Sequence, residues 1–290
     1  MSVQPKIVSV SRRTDIPAFY ADWFMNRIRE GFALYPNPIF PGKIHHVDLS
    51  PDAVNGFVFW TRYPTPLSPH LKELDNRGYA YYFLITLLNY PREIEPRRPP
   101  LNKSIQAIHA LAQTIGPERV IWRYDPILIG SEKIDRNFHV KNFSRLCKTL
   151  SPATRKVVVS IIDPYQKAVF SLKNLNISFK PVDYEPLLLE MVQIAKSFGL
   201  MIQSCAEPLI HLPGIIPGRC VDASLMEAIS GKKTSKAGHI QRKGCLCQKS
   251  VDIGVARTCL FGCRYCYASS LDNPPIRHFK THDPSAPILR

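Results

Sequence analysis

The feature that most constrains the fold is a regular alternation of short β-branched or aromatic runs with amphipathic stretches of helical period. Lys6–Val10, Gly56–Trp60, Tyr79–Thr86, Arg119–Arg123, Lys156–Ile161, Leu200–Ser204 and Val251–Val255 read as strands. Between them, Tyr20–Gly31 carries Tyr20, Trp23, Phe24 and Ile28 at helical spacing, with Gly31 as terminator. Asn102–Ile115 repeats the pattern until Gly116-Pro117 stops it, and Asn137–Leu150 and Tyr184–Phe198 are further helices. Strands separated by helices pair in parallel, because parallel pairing needs crossovers, and the helices then cover the sheet. For a chain of 290 residues the economical α/β architecture is a single β/α (TIM-like) barrel, closed or nearly so, with a doubly wound open sheet as its rival. Residues 1–206 are expected to form the barrel body, and the irregular, cysteine-rich segment 207–290 to complete it and carry the last strand.

In such barrels the reactive groups sit where strands run into the following loops. Here those junctions are polar: Ser11-Arg12-Arg13-Thr14-Asp15, Thr61-Arg62, Thr86, Arg123-Tyr124-Asp125, Ser160 with Asp163, and Ser204-Cys205-Ala206-Glu207. The seventh junction leads into a cysteine cluster. Any one of them has a structural explanation, since Asp and Ser cap helices and Arg pairs with carboxylates. Seven in one register point to a shared site. Asp15 and Glu207 are the candidate catalytic proton-transfer groups. Arg12, Arg13, Arg62, Arg123 and Asp125 are candidate contacts to a cofactor or substrate, because Arg anchors carboxylates and phosphates through two parallel hydrogen bonds.

No apolar run approaches the roughly 20 residues of a membrane helix. The start, MSVQPKIVSV, lacks the charged and apolar regions of a secretory signal. The expectation is therefore a soluble cytoplasmic protein without a membrane partner. In a reducing compartment eight cysteines are metal ligands or catalytic groups rather than a disulfide framework. Cys259, Cys263 and Cys266 form a C-x3-C-x2-C run. Structural zinc takes four ligands, so it would need a further donor from elsewhere. Three thiolates on one tight loop suit three corners of a cubane iron–sulfur cluster, with the fourth iron open to a small molecule. Gly262 lets the backbone turn there, and Tyr265 and Tyr267 can shield the cluster from water.

Cys205, Cys220, Cys245 and Cys247 make a second set. If the intervening loop folds over the barrel mouth, four sulfurs close a site for an electron-relay cluster or a structural zinc; ordinary buried thiols are the alternative. Cys147, beside Phe143 and Leu146, reads as core. The formal net charge is +15, and Lys232, Lys233, Lys236, Arg242 and Lys243 cluster before Cys245. Such a run is a solvated loop, a phosphate contact, or compensation for thiolate-bound clusters. A basic nucleic-acid-binding or modifying protein with structural metal is thus the alternative to an iron–sulfur enzyme, although no known reader motif accompanies the charge.

The run GCRYCYA around Cys263 and Cys266 resembles the radical S-adenosylmethionine enzymes, and its YCYA end resembles the spore photoproduct lyase branch. The resemblance implies that Cys259, Cys263 and Cys266 bind a [4Fe-4S] cluster. Its open iron would chelate S-adenosylmethionine, and one electron from a donor would generate a 5′-deoxyadenosyl radical that attacks a small-molecule or nucleotide substrate. That superfamily carries the motif after its first strand, so the comparison implies a circularly rearranged barrel with Val251–Val255 in the first position. Across nearly its whole length the chain also resembles an uncharacterised, mostly bacterial family, DUF1848. The resemblance rests on SRRTDIPAFYADWF at 11–24, VFWTR at 58–62, VIWRYDPIL at 120–128, SCAEP at 204–208 and the stretch from Cys245 to Ala268.

Overall fold

Among the described residues ten strands form: β1 Lys6–Val10, β2 Phe32–Pro36, β3 Ile44–Asp48, β4 Val54–Thr61, β5 Tyr81–Thr86, β6 Val120–Ile127, β7 Lys156–Ile161, β8 Met201–Ser204, β9 Ile215–Pro217 and β10 Ser250–Asp252. The helices are α1 Ile16–Phe19, α2 Ala21–Glu30, α3 Leu71–Asn76, α4 Leu101–Ile115, α5 Arg136–Leu150, α6 Gln166–Lys173, α7 Glu185–Ser197, α8 Ala223–Ser230 and α9 Pro274–Lys280. This computed structural model describes residues 5–289 except 38, 39, 41, 180, 181, 207–211, 239–243 and 269–273.

Eight strands build one parallel sheet in the order β10-β1-β4-β5-β6-β7-β8-β9, and β2 and β3 form a separate antiparallel hairpin. All seven predicted strands belong to the large sheet. The eighth, β9, has three residues, too few to show a period, and lies in what the sequence presents as irregular chain. The expected barrel closure is not found: β9 and β10 are the two edges, and the sheet is open. The doubly wound rival does not fit either. From β1 to β9 the order never reverses, whereas a doubly wound sheet reverses at a switch point. β10 lies beside β1, with Val251 opposite Val8, which is the place a circularly rearranged order assigns to the strand before the cysteine run.

Winding in one direction brings the helices to one face of the sheet. There Val8, Phe57, Phe59, Tyr81, Phe83, Trp122 and Val157 pack against α2, α4, α5 and α7 through Phe24, Leu111, Phe143 and Leu188. Phe24 meets Phe57 and Phe59 edge-on at 5.3 and 5.4 Å, and Phe143 stacks on Trp122 at 5.2 Å. Side chains alternate along a strand, so Ile7, Val58, Trp60, Tyr82, Leu84, Ile121 and Val158 face the other way. Val221, Ala223 and Met226, at the start of α8 and within it, cover this second face. Residues from both sides of the 206/207 boundary therefore share one apolar cluster. Tyr82 fixes the helix entry by donating its hydroxyl to the Cys220 carbonyl at 2.7 Å and accepting the Asp222 N–H at 2.9 Å. Among the described residues no helix is long and apolar enough to cross a membrane.

Two outcomes are expected. A Cβ at Gly56 would stand 2.1 Å from the Met226 sulfur and 2.7 Å from the Ala80 carbonyl. Gly56→Ala should therefore cost about 1–3 kcal/mol in urea denaturation, as overpacking does. Met226→Ala in the same chain should recover only part, because the backbone clash remains. His139 is buried between the Tyr124 hydroxyl (2.9 Å) and the Leu128 carbonyl (2.8 Å). Burial lowers its pKa from 6.5 to about 4. A folded value below the unfolded one means the neutral ring stabilises the fold above pH 6.5, and that contribution is lost as pH falls toward 4. The loss is at most about 3 kcal/mol. Stability measured from pH 7 to pH 4 should fall more steeply in the parent than in His139→Gln.

Candidate metal centre

The cysteine run is placed by the carboxyl end of β10. Asp252, its last residue and 6% exposed, accepts from Ser9 Oγ (3.0 Å), Ser11 Oγ (2.7 Å) and the backbone N–H groups of Arg12 (2.9 Å) and Gly254 (3.0 Å). Arg12 Nε lies 3.4 Å from the same carboxylate, and Arg12 Nη2 donates to Ser250 Oγ at 3.0 Å. A buried carboxylate thus fastens a three-residue edge strand to the polar turn after β1. Arg13 donates to the Gly254 carbonyl at 3.3 Å. Beyond β10, the Tyr20 hydroxyl donates to the Thr258 carbonyl at 2.7 Å.

The run itself turns tightly, the Cys266 N–H reaching the Cys263 carbonyl at 3.1 Å and Gly262 adopting φ +67°. Burial pushes the Cys259 thiol well up, with Asp15, Cys263 and Cys266 close enough to raise it further; the Phe261 N–H donates to its sulfur. Burial also lifts Cys263 to about 12, against the pull of the Arg62 guanidinium. One loop therefore gathers three sulfurs within each other's electrostatic reach.

The loop after β5 holds that run from the other side. Arg264 N–H donates to the Ile94 carbonyl at 2.9 Å and Arg97 Nη1 to the Leu260 carbonyl at 2.8 Å. Fully buried Glu95 accepts from the Tyr265 hydroxyl at 2.7 Å and from Arg62 Nη2 at 2.5 Å, while Arg62 Nη1 donates to Tyr265 at 2.7 Å. Burial alone would lower the pKa of Arg62, but Glu95, Tyr265 and Cys263 outweigh it and raise it well above the ordinary value. Arg62 also lies over the Phe261 ring at 5.9 Å.

The predicted site residues sort as follows. Asp15 caps α1 through the Ala18 N–H (3.0 Å) and accepts the Arg62 N–H (2.7 Å). Burial raises its pKa to about 7. Arg123 pairs with Asp125, which accepts from Ser160 Oγ at 2.5 Å. Arg123 and Arg12 both lie over the Trp60 ring, at 4.9 and 5.8 Å. Cys205, Cys220, Cys245 and Cys247 gather on the second face of the sheet. Cys147 is buried in the helix-covered core. Glu207, Arg242 and Lys243 lie outside the described residues. Among the described residues no group of three or more His, Cys, Asp or Glu side chains stands ready-made as a metal-ion ligand set. What defines the centre is the gathering of thiols and the donors around them.

The sequence reading missed Asp252 and Glu95. Asp252 becomes significant only once β10 lies beside β1. Glu95 has Glu93 two residues away, and only the fold shows which of the two turns inward. Glu95→Ala should leave the Arg62 charge buried and uncompensated, and cost about 3–5 kcal/mol in chemical denaturation. The same change should make Cys263 alkylate faster under native conditions, because Tyr265 loses its acceptor.

Among curated proteins, none matches the chain. Among solved structures, a putative alpha-L-fucosidase from Bacteroides thetaiotaomicron VPI-5482 is similar at a TM-score of 0.29 and 10% identity, over 96% of this chain and 97% of that one. The tandem GH20 catalytic modules of the pneumococcal exo-beta-D-N-acetylglucosaminidase StrH align at a TM-score of 0.26 and 10% identity, over 71% of this chain and 54% of theirs. Overlaps this low carry no argument about fold or activity. The family model described as Domain of unknown function (DUF1848) matches residues 7–268, and the chain belongs to that family.

Proposed function

We propose that the chain is an iron–sulfur enzyme of the radical S-adenosylmethionine type, with Cys259, Cys263 and Cys266 as ligands of a [4Fe-4S] cluster. The observation that carries this reading is the gathering of three sulfurs, that of Cys263 buried and those of Cys259 and Cys266 partly so, by one loop beyond the carboxyl end of β10. The surroundings fit the group. A cluster held by thiolates is negatively charged and is stabilised by N–H donors and cations near its sulfurs. Here the Phe261 N–H meets Cys259, and the Arg62 guanidinium lies beside Cys263. Burial, with Asp15 nearby, makes the Cys259 thiol hard to ionise on its own, burial does the same to Cys263, and coordination is what makes the thiolate favourable.

When bound, the cluster would supply one-electron reduction of S-adenosylmethionine. The chain's own residues bind, orient and exclude water. Tyr265 is locked between Arg62 and Glu95 against one side of the run. Tyr267 donates to the Arg12 carbonyl at 3.2 Å and packs on Tyr165 at 5.6 Å. Arg12 Nη1 is buried without a hydrogen-bond partner among the described residues, and with Arg123 it frames Trp60. That pair supports a role in holding the carboxylate or phosphate of the cofactor or of a small-molecule or nucleotide substrate. Asp15, with a pKa near 7, can hold or release a proton at neutral pH. Eight cysteines with no disulfide among them suit a reducing cytoplasm, and the chemistry requires an electron donor.

Anaerobic reconstitution should give about four irons and four sulfides per chain at this centre. S-adenosylmethionine should perturb the cluster spectrum, and reductant should then release 5′-deoxyadenosine. Changing Cys259, Cys263 and Cys266 to Ala should abolish all three. A reconstituted chain without cluster absorption, or a cluster indifferent to S-adenosylmethionine, overturns the reading. Salt-dependent binding to DNA or RNA by such an iron-free chain would favour the nucleic-acid alternative.

A further inference from the structure

We propose that Cys205, Cys220, Cys245 and Cys247 hold a single tetrahedral zinc ion that joins the two open edges of the sheet. The four thiols come from three separate segments. Cys205 follows β8, Cys220 lies three residues beyond β9, and Cys245 and Cys247 precede β10. They meet on the second face of the sheet, Cys220 and Cys247 buried within the apolar cluster and Cys205 and Cys245 packed against it. The Cys205 and Cys220 sulfurs are 3.5 Å apart. Cys247 is hydrogen-bonded to the thiols of both Cys220 and Cys245, and the Val221 N–H points at its sulfur from 3.5 Å.

The backbone is shaped for this convergence. At Gly218 a Cβ would stand 2.4 Å from the Ser204 carbonyl, and at Gly244, with φ +78°, it would stand 3.3 Å from the Ala206 carbonyl. Only glycine lets these two segments approach the chain around Cys205 so closely. Gln248 closes the arrangement: its N–H donates to the Val221 carbonyl at 3.1 Å, and its side chain accepts the Ala223 N–H at 2.9 Å.

The spacing selects the metal. Four thiolates about 2.3 Å from one tetrahedral zinc ion stand about 3.8 Å from each other, close to the contact already present. A cubane gives each thiolate its own iron at a separate corner, which would drive neighbouring sulfurs well beyond contact. Four soft sulfur donors with no open position also describe a structural zinc site. Arg123, beside Cys205 and Cys220, offsets part of the negative charge that four thiolates leave on a divalent ion. No residue of the three-cysteine run takes part, so this site stands or falls independently of the iron centre.

The test uses the full chain with Cys259, Cys263 and Cys266 changed to Ala, purified without chelator. One zinc per chain should remain, and zinc-edge X-ray absorption should report four sulfurs at about 2.3 Å. Cys220→Ser with Cys247→Ser in the parent should reduce zinc to background while leaving the iron content of the other centre unchanged. If that pair fails to fold, the absorption measurement on the first variant decides. Iron and sulfide in that first variant would mean a second cluster and overturn the proposal, as would zinc-free protein with these cysteines disulfide-bonded. A parent chain that binds sulfur-coordinated zinc but no iron would refute the cluster reading above and leave this one intact.

Discussion

A parallel sheet has no face that tolerates water, and in this chain the crossovers cover only one. The other face needs its own cover, and much of the remaining structure follows from how it is supplied. A closed barrel would bury that face with its own side chains. Here Val221, Ala223 and Met226 lie on it instead, and β9 and β10 remain the two edges. The cover dictates a glycine at position 56, where Met226 leaves no room for a side chain. It uses the Tyr82 hydroxyl to satisfy two backbone groups at the helix entry. It also carries Cys220 into the interior, beside Cys247. The open sheet and the four-thiol group, half of it buried, are two aspects of one packing solution.

The three-cysteine centre is held by paired buried charge more than by strand pairing. β10 contributes only three ladder positions. Asp252 supplies what the ladder lacks by gathering two hydroxyls, two backbone N–H groups and an Arg. Arg62 does the same across a wider gap. Its backbone N–H binds Asp15 while its guanidinium binds Glu95 and Tyr265, so the turn after β1, the end of β4, the loop after β5 and the cysteine run are tied at one residue. Buried ions persist only when paired and hydrogen-bonded in this way, and such a fixed frame would suit the ligands of the proposed cluster, which must keep their positions.

The arginines that the sequence offers as contacts to a cofactor carry charges that are less free than such a role alone would leave them. Arg62 stands where expected, just past the carboxyl end of β4, whereas Arg123 lies in the middle of β6, which runs on to Ile127 instead of ending there; each is engaged by a carboxylate of the chain. Arg12 is split between Asp252 and an unsatisfied Nη1 that faces no described partner. Asp15 is both a helix cap and a buried acid, the two roles that its place after β1 allows in the sequence.

The amino-acid order alone determined seven strands of the large sheet and the long helices, since their apolar period is local, and it determined the spacing that puts Cys259, Cys263 and Cys266 on one turn. The resemblance of its cysteine motif implied a first position for the strand before it, and in the sheet that strand is an edge beside β1. Tertiary structure decided whether the sheet closes, which glutamate turns inward, and which thiols meet. Those outcomes depend on groups far apart in the chain competing for the same buried space. No local pattern records that α8 covers the second face while β9 and β10 stay unpaired edges.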